Sequence, residues 1–273
     1  MERTVLVTGA GRGIGLATAL QAAVAGLRVV GLVPTDRQAG ALRAAAAERG
    51  VTVDVVKADL GDPDARRGLA ADLGLWGLVN NAGYMNAGQL RDVPLDDARR
   101  QLEVMALAPL DLALQALPAM TARGHGRIVN VASAAVHSST PLTGWYSASK
   151  AALRELTDAL RVELRDTGVA VVDIEPGGIK TDIWTRADGE LTRRAERSSR
   201  PDVYRQAKRR LEKLQPHAVD PERVGTAITE VLLSGDPPRH RRVGVDAAPL
   251  RLLNELLPEA WWDRTVSSLV GQH

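Results

Sequence analysis

The chain contains no cysteine, which excludes disulfides and thiolate-bound metal from its architecture. Its five histidines, His125, His137, His217, His240 and His273, are scattered with no HExxH or paired spacing, so no metal centre is expected. No uninterrupted apolar run reaches the length of a membrane span, and the start, MERTVLVTGAGRG, lacks the apolar stretch of a signal peptide. These absences predict no integral membrane segment and a cytoplasmic location. Nor is there an excess of one charge. The net charge is +2, with arginines interleaved among acids in the manner of a solvated surface, so no nucleic-acid partner is expected. The densest basic run, TRRAERSSRPDVYRQAKRRLEK (192–213), reads as a charged helical segment.

What is present is an alternation. Short β-branched runs at 3–8, 28–33, 52–58, 75–81, 126–133, 169–176 and 241–246 predict seven strands. Between them lie helix patterns near 13–25, 38–49, 63–73, 95–122, 146–167 and 220–234. Several strands are continuously apolar, as strands covered on both faces are, and every connection is long enough for a crossover. The pattern predicts an α/β fold of Rossmann-like type: a doubly wound, seven-stranded parallel sheet with helices on both faces, in a single domain spanning 1–273. Two regions break the alternation. Residues 178–218 predict a substrate lid, and a C-terminal helical extension is expected at about 249–273, interrupted at Pro258 and carrying Trp261 and Trp262.

VLVTGAGRGIGLATAL places Gly9, Gly11, Gly13 and Gly15 directly after the first strand and into a helix. Glycine lets the backbone turn tightly and approach a pyrophosphate, while a helix N-terminus offers free N–H groups. GWYSASKAALREL (144–156) holds one of only three tyrosines in the chain, Tyr146, four residues ahead of Lys150. Residues i and i+4 share a helix face, so the phenol lies beside a cation. A free tyrosine titrates near ~10, and a neighbouring positive charge lowers that value.

With Thr8 ahead of it, the Gly-x-x-x-Gly-x-Gly spacing from Gly9 to Gly15 resembles the short-chain dehydrogenase/reductase family, whose other marks follow in order. These are NNAG (80–83), Asp59 in ADL, the Tyr-x-x-x-Lys pair in YSASK and EPGGIKT (175–181). The resemblance implies a dinucleotide held by Thr8, Gly9, Gly11, Arg12, Gly13, Ile14 and Gly15. It places Asp59 and Leu60 at the adenine and Asn80 with Asn81, Ala82 and Gly83 beside the adenine ribose. Pro176, Gly177, Ile179 and Thr181 would flank the nicotinamide, with Tyr146 and Lys150 at its ribose. NAD-preferring relatives carry an Asp near Val33, and that carboxylate is missing in GLVPTDR. Arg12 and Arg37 would serve a 2′-phosphate as charge-assisted donors, which favours NADP. NAD remains the alternative if Asp36 turns toward the ribose.

The same resemblance assigns Tyr146 as the acid or base, Lys150 as its cation and Ser133 as the group that polarises the substrate oxygen. Relatives commonly place an Asn where this chain has Met105, and that Asn frees a backbone carbonyl to hold a water behind the lysine. Pro109 offers a substitute, because it cannot donate to the carbonyl of residue 105. Expected pocket walls are Tyr84, Met85, the loop His137–Trp145 and Ile179–Trp184, mainly apolar. The C-terminal sequence resembles relatives acting on steroids, retinoids and other lipophilic alcohols. The reading is an NADP-dependent oxidoreductase interconverting an apolar ketone and a secondary alcohol, assembled as a homodimer or homotetramer through 95–122 and 146–167. A cofactor-binding sensor or scaffold with little turnover, and a lyase or isomerase on the same site, are the alternatives.

Overall fold

The computed structural model describes residues 2–137, 140–214 and 218–244, with Pro258, Trp261, Arg264 and Ser267. The expected C-terminal extension therefore lies almost wholly outside the described residues, as do Ser138, Ser139 and residues 215–217 of the expected lid.

Seven parallel strands form one sheet: β1 (Thr4–Thr8), β2 (Arg28–Val33), β3 (Asp54–Lys57), β4 (Gly77–Asn80), β5 (Gly126–Val131), β6 (Val169–Pro176) and β7 (His240–Val243), ordered 3-2-1-4-5-6-7. The chain direction across the sheet reverses between β1 and β4, and the crevice above that switch point is where such folds bind nucleotides. The helices are α1 (Gly13–Val24), α2 (Asp36–Glu48), the short α3 (Pro63–Arg66) and α4 (Leu69–Asp72), α5 (Leu95–Leu102) and α6 (Ala108–Ala122). After them come α7 (Gly144–Glu163), α8 (Asp182–Ala195), α9 (Pro201–Leu214) and α10 (Pro221–Leu233).

Strand alternation divides the core in two. Val5, Val7, Val29, Val129 and Val172 point to one face, against Leu20 of α1 and Ile228 and Val231 of α10. Leu6, Leu78, Ile128 and Val171 point to the other, against Leu112 and Met120 of α6 and Leu160 of α7. Burying each such side chain is worth roughly 1.5–3 kcal/mol, which is why both faces of these strands are apolar.

Two helix expectations change. The stretch 63–73 splits into α3 and α4 because Gly68 adopts φ +74 between them. The stretch 95–122 is continuous but widens to a π-helix over Glu103–Leu107, where the Ala108 N–H donates to the Glu103 carbonyl. Pro109 supplies the cause: its ring would clash with the carbonyl four residues back in a regular α-helix, and it has no N–H to donate there. By length and composition Leu95–Ala122 would also pass for a membrane span, yet half of its apolar window is buried inside the fold, as a core helix would be.

The region 178–218, expected as a lid with a charged helical segment at 192–213, carries α8 and α9. α8 and α9 clamp onto the segment before α5. Arg194 donates to the Ala87 carbonyl at 2.7 Å and pairs with Glu190 and Asp97. The fully buried Tyr204 donates to Asp92 at 2.7 Å and accepts from the Gln89 N–H. Burial and Asp92 push its phenol up to about 12. A wall held this way is fixed in place by buried polar contacts.

Candidate active site

The glycine turn between β1 and α1 is locked by close backbone approach. Gly9 has φ +68, and a Cβ there would lie 2.9 Å from Ala82 Cα. A Cβ on Gly15 would fall 2.3 Å from the Gly9 carbonyl oxygen. Thr8 fastens the facing NNAG loop: its hydroxyl accepts from the Asn81 and Ala82 N–H groups at 3.0 Å, and its carbonyl accepts from the Asn81 amide at 2.9 Å. The turn fits a pyrophosphate. Arg12, at the N-cap of α1, makes no side-chain cap, and the first turn carries no acid, so the leading N–H groups of Gly13, Ile14 and Gly15 meet no competing carboxylate.

The adenine-side residues behave differently from one another. Asp59 accepts from the Gly61 N–H at 2.9 Å and from Arg100 at 2.6 Å. Burial pushes its carboxyl up, but Arg100 and the Gly61 N–H outweigh that and hold it below its ordinary value. Leu60 is buried, its carbonyl taken by Arg66 at 2.7 Å. Asn80 turns away from the crevice: its amide donates to the Pro109 carbonyl at 3.0 Å and to Asn130 at 2.8 Å, which makes it a brace between the sheet and the widened helix. Arg37 is exposed at the start of α2. Asp36 is gripped by Lys57 at 2.9 and 3.0 Å. Lys57 is the register partner of Val33 at the end of β2, a cation beside the position expected for the ribose that the motif reading missed. Its signal in the sequence was the lone charge closing the third strand, VVK.

The chemical groups converge over the C-terminal ends of β5 and β6. Ser133 lies just beyond β5, where its hydroxyl accepts from the Ala135 N–H at 3.2 Å. Tyr146 and Lys150, one turn apart at the start of α7, are both buried. Burial pushes the Tyr146 phenol up, opposed by a hydrogen bond to Ser133. Lys150 donates to the Val131 carbonyl at 2.6 Å. Burial lowers its ammonium to about 8, against the support of the Asp173 charge. In this arrangement Ser133 holds the phenol, and the lysine is anchored to the strand.

The loop after β6 closes the site. Gly177 donates to the Val243 carbonyl, tying Pro176 and β6 to β7. Ile179 is buried, and its carbonyl accepts from the Trp184 indole at 2.6 Å. Thr181 meets the glycine turn, 3.1 Å from where a Gly13 Cβ would stand. Beside it Asp182 pairs with Arg12 at 3.5 Å. Among the expected pocket walls, Met85 and Leu142 are buried, Tyr84 lies under Arg186 at 4.9 Å, and the Trp145 indole N–H is buried without a hydrogen-bond partner among the described residues. Leu142 has φ 71, a strained backbone at a non-glycine residue directly ahead of α7. Met105 is fully buried and its side chain packs against Gly83.

Sequence reasoning also missed a polar row. Asn80, Asn130, Asp173 and His240 are consecutive register partners across β4, β5, β6 and β7. Asp173 and Glu175 are both fully buried, and the signal was two acids inside the apolar run VAVVDIEP.

An uncapped helix N-terminus behind a glycine turn, with a buried Ser–Tyr–Lys group beside it, defines a nucleotide-dependent oxidoreductase of Rossmann type. The sequence profile described as short chain dehydrogenase matches residues 3–191. The chain belongs to the short-chain dehydrogenase/reductase family and is an enzyme acting on a CH–OH group with NAD(P) as acceptor. The uncharacterized oxidoreductase YbbO of Escherichia coli K12 is 36% identical over 189 residues, covering 66% of this chain and 67% of that protein. Human retinol dehydrogenase 16 is 34% identical over 212 residues, covering 70% of this chain and 65% of that protein. A structure described as an NAD(P)-dependent gluconate 5-dehydrogenase of Beutenbergia cavernae, with NADP bound at low occupancy, is similar with a TM-score of 0.74. It is 30% identical, covering 90% of this chain and 97% of the other.

Proposed function

We propose that the protein is an NADP-dependent reductase or dehydrogenase interconverting a lipophilic ketone and its secondary alcohol. The observation that carries this reading is the buried group of Ser133, Tyr146 and Lys150 beside the glycine turn. The bound dinucleotide supplies a hydride to the carbonyl carbon or accepts it from the alcohol. Ser133 donates a hydrogen bond to the substrate oxygen and polarises it. Tyr146, raised by burial and so protonated at neutral pH, gives its proton to the developing alkoxide. Lys150 stabilises the phenolate left behind, and its anchor on the Val131 carbonyl fixes where that charge sits.

Arg12 and Arg37 support NADP, and Lys57 adds to them: by holding Asp36 it offsets a carboxylate that would repel a 2′-phosphate. The apolar walls at Met85, Leu142 and Ile179 support a lipophilic substrate. The apolar side chains Leu95, Leu107, Leu114 and Val162, left exposed on the α5–α7 surface, support a homodimer or homotetramer, which we place in the cytoplasm. Nicotinamide absorbance, followed with NADPH and with NADH across a panel of apolar ketones, tests the reading. Oxidation of NADPH in preference to NADH is expected. Tight cofactor binding with no turnover on any of them would instead make the protein a sensor.

A further inference from the structure

β6 carries two carboxylates two residues apart on the face toward α7, and their surroundings are opposite. Glu175 is compensated: it meets His137 at 3.0 Å and Arg242 at 2.9 Å, with Arg154 at 3.7 Å. Burial pushes its carboxyl up, but His137 and the two arginines outweigh that and hold it below its ordinary value. Asp173 is fully buried, and neither of its oxygens has a hydrogen-bond partner among the described residues.

The groups facing Asp173 come from each packed element. Lys150, Arg154 and Asp158 face it from α7, and Glu175 from its own strand. From β7, His240 stands with Nδ1 3.6 Å from the Asp173 carboxylate, that nitrogen also lacking a hydrogen-bond partner among the described residues. From β5, the register partner Asn130 donates to Thr157 instead. Burial first, and then Glu175, push the Asp173 carboxyl up to about 7, one step from the Lys150 ammonium at about 8. Lys150 is held on Val131, next along β5 to Asn130, so its ammonium sits one strand from Asp173. His240, at the sheet edge, is partly exposed, whereas Asp173 is sealed.

We propose that Asp173 is the proton reservoir behind the catalytic centre, recharging Lys150 after each turnover and refilled from solvent through His240. This rests on Tyr146 being the acid. In the reducing direction Tyr146 loses its O–H proton to the substrate alkoxide, and the phenolate takes one from the Lys150 ammonium. The Lys150 amine takes one from the Asp173 carboxylic acid, and the resulting carboxylate takes one from His240, which recovers it from water. One solvent proton is consumed per alcohol formed, and oxidation runs the chain backwards. Orphaned buried acceptors of this kind are commonly met by internal water, and one between Lys150 and Asp173 would carry this transfer. Asp173, Glu175 and His240 also lie close enough together to suggest a metal ion. The guanidinium groups on Glu175 oppose a further cation, so the ligand here is a proton.

Steady-state kinetics with NADPH and an accepted ketone test the proposal. Asp173→Asn is expected to lower kcat about tenfold with little change in KM, to remove the titration near pH 7 from the rate profile, and to raise the solvent isotope effect. His240→Gln is expected to slow turnover less and to be restored by added imidazole, which keeps the test open should Asp173→Asn fail to fold. An unchanged profile in Asp173→Asn, or no imidazole rescue in His240→Gln, would overturn it. So would zinc- or manganese-dependent stabilisation of the wild type that Asp173→Asn abolishes. Failure of the underlying reading is separable, because turnover surviving Tyr146→Phe discards the acid alone. An NMR titration of His240, read without cofactor, still reports its coupling to Asp173. A His240 titration that Asp173→Asn leaves unshifted would refute the reservoir by itself.

Discussion

The two halves of the sheet are built on different principles. On the β1–β4 side, the glycine turn and the NNAG loop are fixed by backbone approach and by satisfied hydrogen bonds through Thr8. On the β5–β7 side, Lys150 and Asp173 are displaced toward neutral pH by burial, and Asp173 is left without a hydrogen-bond partner among the described residues. The first half controls shape and the second controls charge. Substitutions in the first should act through binding and stability, and those in the second through protonation.

The largest effect is expected on the charged side. Tyr146→Phe removes the proton donor while keeping the ring, so turnover should fall by about 10²–10⁴ with the melting temperature within a few degrees of wild type. A variant that keeps a tenth of its activity would show that the phenol is structural. On the shaped side, Gly15→Ala forces a methyl group to 2.3 Å from the Gly9 carbonyl, and the backbone has to move. A cost of about 1–3 kcal/mol is expected in denaturant unfolding, with cofactor affinity lost alongside. Normal affinity in Gly15→Ala would break the comparison, since the shaped half would then tolerate distortion.

Pro109→Ala tests the border between the halves. Restoring the N–H lets the π segment close toward regular α-helix, and the Asn80 brace on the Pro109 carbonyl would shift with it. Turnover is expected to fall by roughly severalfold while stability is retained or rises, because Pro inside a helix is itself costly. Unchanged turnover would assign the widened helix to packing alone.

Legibility in the sequence followed the same division. The seven strands and their parallel sense were readable because apolar periodicity encodes them locally, and motif spacing picked out the glycine turn and the Ser133, Tyr146 and Lys150 positions. In 178–218 the charged helical run at 192–213 was readable, but its docking was not, because it is imposed by distant partners such as Asp92 on Tyr204. The π segment was half-readable: Pro109 marked the place, but whether the helix breaks or widens depends on packing at Met105 and Asn80. Asn80 was assigned to the crevice by its motif, although its neighbours across the sheet, Asn130 and Pro109, turn it inward. The row from Asn80 to His240 was unreadable, since cross-strand register joins residues that lie far apart in the chain.

Asp173 also makes a stability prediction with a definite sign. Its folded pKa, about 7, is above the ordinary 3.8, so the fold favours the protonated form. That contribution is fully present below pH 3.8 and is lost as the pH rises to about 7. Denaturant unfolding of the wild type should therefore weaken across this window by up to about 1.4 kcal/mol per pH unit from this group. Asp173→Asn should flatten that slope and be the more stable protein at pH 8. A parallel slope in both proteins would place the carboxylate in a solvated setting.

The smallest effect lies at the ribose corner, where shape and charge meet. Lys57 and Asp36 are more than half exposed, so their pairing is worth only about 0–1 kcal/mol. Its consequence for cofactor choice is larger than its consequence for folding, because the Lys57→Ala change acts on two charges at once. On the proposed NADP reading, it would remove a cation near the 2′-phosphate and release a carboxylate that would repel it while accepting from ribose hydroxyls. KM for NADPH should rise and KM for NADH should fall, each by a fewfold, with kcat unmoved for both. Arg12→Ala, by contrast, should raise KM for NADPH alone, since it frees Asp182 on α8 and not a carboxylate at the ribose corner. Equal shifts for the two cofactors in Lys57→Ala would show that the corner is read by shape, and would move this region wholly to the rigid side of the comparison.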